Sequence, residues 1–125
     1  MSTAQFEKGD KVRREVLGDA HVDRSVKKTT PFNQPIIDYI TKYAWGDVWA
    51  RPGLERKTRS ILNLGMLSAL GREAELKIHI RGALRNGVTK EEMSEVFLQV
   101  AVYCGAPASL EAFRVAAEVF EEDGI

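Results

Sequence analysis

Residues 55–104 read ERKTRSILNLGMLSALGREAELKIHIRGALRNGVTKEEMSEVFLQVAVYC, and their punctuation decides the fold. Glu55 to Leu70 predicts a buried helix through Ile61, Leu62, Leu64, Met66, Leu67 and Leu70, closed by Gly71. Arg72 to Arg85 predicts a second, through Leu76, Ile80 and Leu84. Asn86-Gly87 closes it, because glycine relieves the left-handed position that ends a helix. Thr89-Lys90-Glu91-Glu92 is a capping box, in which hydroxyl and carboxylate reciprocally satisfy orphan N–H groups. It opens a third helix through Met93, Val96, Phe97, Val100 and Val102 to about Cys104.

Downstream, Gly105 breaks that helix and Pro107 starts the last one, through Leu110, Phe113, Ala117 and Phe120. Upstream, Ala4 to Leu17 predicts a short amphipathic helix ending before Gly18. Gly18 to Pro31 reads as polar and turn-like, with one helical turn at Asp23–Lys28. Pro35 opens a helix through Ile36, Ile37, Ile40 and Tyr43 to about Ala44, and Trp45 to Leu54 reads as a loop. No segment alternates as a strand would. The expected fold is all-α, a compact orthogonal or antiparallel bundle of about six helices joined by short turns.

No repeat or linker marks a boundary, so one domain is expected over 1–125, with 1–30 as N-terminal helix and arm and 31–125 as helical core. Eighteen basic and eighteen acidic residues cancel, which argues against nucleic acid or an anionic membrane as partner. No apolar run reaches the roughly 18 residues a span requires. The opening MSTAQFEKGDKVRREVLG has no apolar h-region, so the cytoplasm is the expected compartment. Cys104 is the single cysteine, which excludes an intrachain dithiol cycle, a zinc cluster and a disulfide framework; it is expected to be a buried small hydrophobe. The last two helices are rich in small and apolar residues, as a subunit interface requires.

Arg72, Glu75 and His79 fall within about 60° of arc on one helix face at about 100° per residue. One reading is an i,i+4 pair on a solvated face. The other is a cation that holds a carboxylate, a carboxylate that orients an imidazole, and an imidazole that moves a proton. Trp45 and Trp49, with Asp47 and Arg51 nearby, are either structural anchors or the wall of a small-molecule pocket. Tyr103 is either core or a hydroxyl donor.

The run WGDVWARPGLERKTRSILNLGMLSALGREAELKIHIRGALRNGVTKEEMSEVFLQVAVYCGAPA resembles the core of the carboxymuconolactone decarboxylase family. The upstream GDKVRREVLGDAHVDRS resembles the N-terminal extension of the 4-carboxymuconolactone decarboxylases within it. The superfamily also holds peroxidase-type members of the alkyl hydroperoxidase (AhpD) type, with a Glu, a CxxC pair and a His. Laid without gaps on this chain, those positions fall on Ser60, Arg72, Glu75 and His79. Both thiols are absent, and a thiolate is the nucleophile of that chemistry, so the peroxidase reading is the weakest alternative. A non-catalytic assembly subunit and a lyase on a related lactone are the others.

The resemblance implies an AhpD-like fold and cofactor-independent decarboxylation of 4-carboxymuconolactone, a dicarboxylate lactone, to β-ketoadipate enol-lactone in aromatic-compound degradation. It implies no metal, because the substrate carries its own electron sink. On this reading His79 is the general acid or enolate donor and Glu75 orients it. Arg72, with Arg59 or Arg51, holds a substrate carboxylate, and Trp45, Trp49 and Tyr103 line the pocket. His21 reaches it if the N-terminal arm folds over. A homo-oligomer, a hexamer built as a trimer of dimers, is the implied assembly.

Overall fold

A computed structural model describes residues 3–125. The described residues form helices α1 (Thr3–Leu17), α2 (Asp19–Lys28) and α3 (Gln34–Tyr39), a π-helical segment (Ile40–Trp49), then α4 (Arg56–Leu70), α5 (Glu73–Arg85), α6 (Lys90–Cys104) and α7 (Ala106–Asp123). No strand occurs among them, so the all-α expectation holds. No helix is long and apolar enough to cross a membrane. The chain divides into two compact units, Met1–Arg56 and Lys57–Ile125.

In the first unit α1 packs along the π-helical segment. Gln5 Nε2 donates to the Lys42 carbonyl at 2.8 Å, and Gly9 and Gly46 let the two backbones meet. Gly46 lies against α1, where a Cβ would stand 2.9 Å from the Gln5 carbonyl oxygen. The loop expected over Trp45–Leu54 is helical as far as Trp49. A π-helix widens the turn by one residue, which turns Thr41, Trp45, Gly46 and Trp49 inward together. The two indoles stack with centroids 4.9 Å apart.

The turn-like reading of residues 18–31 is likewise corrected. Gly18 takes φ 92°, and α2 then runs three turns. Arg14 of α1 binds Asp10 at 3.0 Å and reaches Asp19 and Asp23 of α2 at 3.2 and 2.8 Å, while Val22 is fully buried beneath. Asp19 in the first turn and Lys27 and Lys28 in the last complement the helix dipole. Charge pairing that no hydrophobic period reveals makes this segment a helix.

In the second unit Leu64, Leu76, Ile80, Met93, Phe97, Val115 and Val119 form the core. Ser109 Oγ donates to the Phe97 carbonyl at 2.7 Å and fixes α7 on α6. Lys77 and Arg81 of α5 pair with Glu122 and Asp123 at the end of α7. Three expectations fail here. Leu62, Met66 and Leu70 of α4 are exposed, and so are Tyr103 and Cys104 at the end of α6. Both helices carry apolar residues on more than one face, and only one face of each meets the core.

The capping box forms as expected. Glu92 N–H donates to Thr89 Oγ1 at 3.0 Å, and Thr89 N–H donates to Glu92 Oε1 at 2.9 Å. The Thr89 backbone and Lys57 hold the Glu92 carboxyl below its ordinary pKa. Its folded pKa is thus lower than its unfolded one, so its contribution is complete above the ordinary carboxylate range and is lost on acidification through the lower folded value. Thr89→Ala should cost about 1 kcal/mol at neutral pH. The variant keeps the Thr89 backbone N–H and Lys57, so the gap from the unsubstituted protein in urea unfolding should persist in acid while both lose the Glu92 contribution.

Candidate functional site

α4 and α5 run antiparallel, joined by two side-chain bridges. Asn86 Nδ2 donates to Ser60 Oγ at 2.9 Å, and Asn63 Nδ2 lies 3.3 Å from His79 Nδ1. Ser60 is buried and His79 half-buried. With Asn63 donating, Nδ1 is the acceptor, so the proton of the neutral imidazole resides on Nε2. That atom can donate to an oxyanion or deliver a proton. Arg59 stands one turn before Asn63 on the same face of α4 and is partly buried. The pairing of Asn63 with His79 escaped sequence reading because the two lie 16 positions apart. A lone amide in an apolar helix, a helical hairpin away from a histidine, was the available signal.

Arg72 is exposed at the N-cap of α5 with φ −91° and ψ 77°, where its carbonyl accepts from Leu76 N–H at 2.8 Å. Glu75 is exposed in the first turn of α5, where a carboxylate also complements the helix dipole. At about 1.5 Å of rise per residue, Arg72 begins about 10 Å along the axis from His79. Asn63, rather than Glu75, meets Nδ1.

Tyr103 and Cys104 belong to a different concavity of about 360 Å³ between α4 and α6, walled by Ile61, Met66 and Val96. His21, Trp45, Trp49 and Arg51 lie in the first unit: His21 half-buried on α2, the tryptophans buried, and Arg51 exposed just beyond the π-helical segment. A larger concavity, about 750 Å³, lies in the first unit between Pro31, Gln34, Tyr39, Lys42 and Tyr43. It contains none of the candidate residues. Size alone therefore does not select the site; the Asn63–His79 pair does.

Comparison with known proteins bears on the same residues. The profile of the carboxymuconolactone decarboxylase family matches residues 35–118, which include Arg59, Asn63, Arg72, Glu75 and His79. A 4-carboxymuconolactone decarboxylase of Acinetobacter baylyi is 48% identical over 121 residues, 97% of this chain and 90% of the relative. A nitrosuccinic acid decarboxylase of Metarhizium robertsii is 48% identical over 110 residues, 88% of this chain and 77% of the relative. A 4-carboxymuconolactone decarboxylase sequence of Pseudomonas putida is 49% identical over 43 residues, 34% of this chain and 90% of the relative. With two-thirds of its length inside the profile and near-full-length similarity to a decarboxylase, the chain belongs to the carboxymuconolactone decarboxylase family.

Proposed function

We propose that this protein is a carboxy-lyase that converts 4-carboxymuconolactone to β-ketoadipate enol-lactone and CO2 without a cofactor, acting as one decarboxylase-like domain in the cytoplasm. The near-full-length similarity to the Acinetobacter enzyme carries this reading, and the Asn63–His79 pair supplies its chemistry. Loss of CO2 leaves an electron pair that flows through the ring double bond into the lactone carbonyl. The protein has to hold the retained carboxylate, stabilise the developing enolate oxygen and protonate carbon. His79 Nε2–H serves the second and third tasks. Arg59, close along α4 to the histidine's partner, serves the first, with Arg72 at the mouth of the helix pair as the outer cation. Glu75 orients approach to His79 from the exposed side. The family resemblance adds His21, Arg51, Trp45, Trp49 and Tyr103 as further substrate-binding residues.

Purified protein mixed with enzymatically generated lactone should consume it with release of one CO2 per turnover; absence of turnover refutes the reading. A charge-assisted hydrogen bond contributes about 1.5–3 kcal/mol, so Arg59→Met should lower kcat/KM about 10- to 100-fold. Arg72→Met should lower it less, because its guanidinium is exposed. Equal effects, or a larger one at Arg72, would reverse the assignment of cations.

A second reading has its own support. The nitrosuccinic acid decarboxylase shares the same 48% identity, so nitrosuccinate is a rival substrate to be assayed beside the lactone. The assembly is proposed as a homohexamer, a trimer of dimers. Exposed Leu62, Met66, Val102, Tyr103 and Leu110 are the support, since a lone chain would leave them all in water. Light scattering that returned a stable monomer would contradict it.

A further inference from the structure

The lactone and nitrosuccinate look unlike each other, yet they share one carbon frame. In 4-carboxymuconolactone the carbinol carbon of the ring bears a carboxylate and a CH2–COO− arm, and is conjugated through the double bond to the lactone carbonyl. In nitrosuccinate one carbon bears a carboxylate, a CH2–COO− arm and the nitro group. Each is a succinate substituted at C2 by a group that takes up an electron pair as an oxyanion. We infer that the Asn63–His79 site takes this whole class: succinates that carry an electron sink on C2. This inference rests on the decarboxylase reading above.

The residues answer to what the two frames share. α5 offers the imidazole of His79, whose Nδ1 lies 3.3 Å from Asn63 Nδ2, a contact that favours the tautomer with its proton on Nε2. α4 offers one cation, Arg59, a turn from Asn63 on the same face. An oxyanion donor and a carboxylate anchor from facing helices recognise the two ends that all members of the class share. Neither group requires a ring between those ends.

The step is the same throughout. The C1–C2 bond breaks, its electron pair moves into the sink as an enolate or nitronate, C1 leaves as CO2, and a proton adds to the carbon end of the anion. No oxidant or reductant enters. A ketone is an equally good sink, so 2-acetylsuccinate should yield 4-oxopentanoate, as nitrosuccinate should yield 3-nitropropanoate. The ionised form of 3-nitropropanoate is itself the anion left after CO2 loss. It should therefore act as a mimic of the reaction intermediate and bind at least about 100-fold more tightly than succinate.

The test uses the full chain and four compounds: the lactone, nitrosuccinate, 2-acetylsuccinate, and 2-methylacetoacetate, which has the sink but lacks the second carboxylate. CO2 release is measured above the spontaneous rate, and 3-nitropropanoate and succinate are tested as inhibitors. Turnover of the first three but not the fourth supports the class. So does competitive inhibition by 3-nitropropanoate that strengthens as pH rises toward ionisation of the nitroalkane. Turnover of the lactone alone, without that inhibition, overturns the class and leaves the lactone reading standing. Turnover of nitrosuccinate and 2-acetylsuccinate without the lactone supports the class and overturns the lactone reading. Turnover of none overturns both.

Discussion

His79→Ala should lower kcat by about 100- to 10,000-fold, the range that a positioned proton donor contributes, while the protein remains folded. The expectation follows from where the ring sits and which atom is committed. Nδ1 meets Asn63, so Nε2 is the atom assigned to substrate, and the neighbours on the same helix face, Arg72 and Glu75, are exposed where His79 is half-buried. Glu75, one turn earlier, is exposed, and a carboxylate accepts hydrogen bonds but does not donate them. The stability cost should be small, because a half-buried histidine is not a core side chain. Thermal unfolding of the variant separates the two effects. Asn63→Leu is the companion measurement: it frees the ring to take either tautomer and should reduce kcat about tenfold through loss of one orienting bond. Undiminished turnover by His79→Ala would remove the histidine from the chemistry, and Arg59 would then have to be the oxyanion donor. Loss of turnover in Asn63→Leu as complete as in His79→Ala would mean that the amide itself touches substrate.

The second unit was legible in the sequence to a degree the first was not, and the difference has a physical cause. Gly71, Asn86-Gly87 and the Thr89–Glu92 box are local devices: each acts on the backbone within four residues of itself, so each can be read in place. What defeated reading in the first unit was non-local. Gly46 looks like punctuation until α1 is laid against it, and the three acidic partners of Arg14 are spread over two helices. Nothing in a window of a few residues distinguishes π from α hydrogen bonding. Tyr103 and Cys104 show the remaining limit. Hydrophobic period identifies a helix, but a helix with two apolar faces does not say which one meets its own core.

The candidate site divides along the same line. His79 is visible because histidines are scarce here, and the family resemblance singles out its position. Arg72 and Glu75 follow from helical arithmetic on the same face. Asn63 does not, since the bond that sets the imidazole tautomer depends on the register of α4 against α5. A residue that orients a catalytic group from another helix is legible only once the helices are packed.

Gly9→Ala should destabilise the first unit by about 3 kcal/mol, the upper end of the overpacking range, although alanine is the better helix former. A Cβ at Gly9 would fall on the carbonyl oxygen of Thr41. That neighbour is backbone held in the π-helical segment, so no rotamer change can make room. From the other side, a Cβ at Gly46 would lie 2.9 Å from the Gln5 carbonyl oxygen, so the two glycines face each other's helix. Two opposing effects give the test a sign. Propensity alone predicts stabilisation by up to about 1 kcal/mol, because Gly9 sits inside α1 with no need of a positive φ. Contact with Thr41 predicts the reverse. Gly65 of α4 supplies the control, since a Cβ there meets nothing within 4 Å, and Gly65→Ala should stabilise by about 0.5–1 kcal/mol. Tryptophan fluorescence in urea reads the first unit directly, because Trp45 and Trp49 are the only tryptophans in the chain. A Gly9→Ala protein that is as stable as its parent, or more so, would mean that α1 does not dock on the π-helical segment. The burial of Trp45 and the extension of helix through Trp49 would then lose the contact that accounts for them.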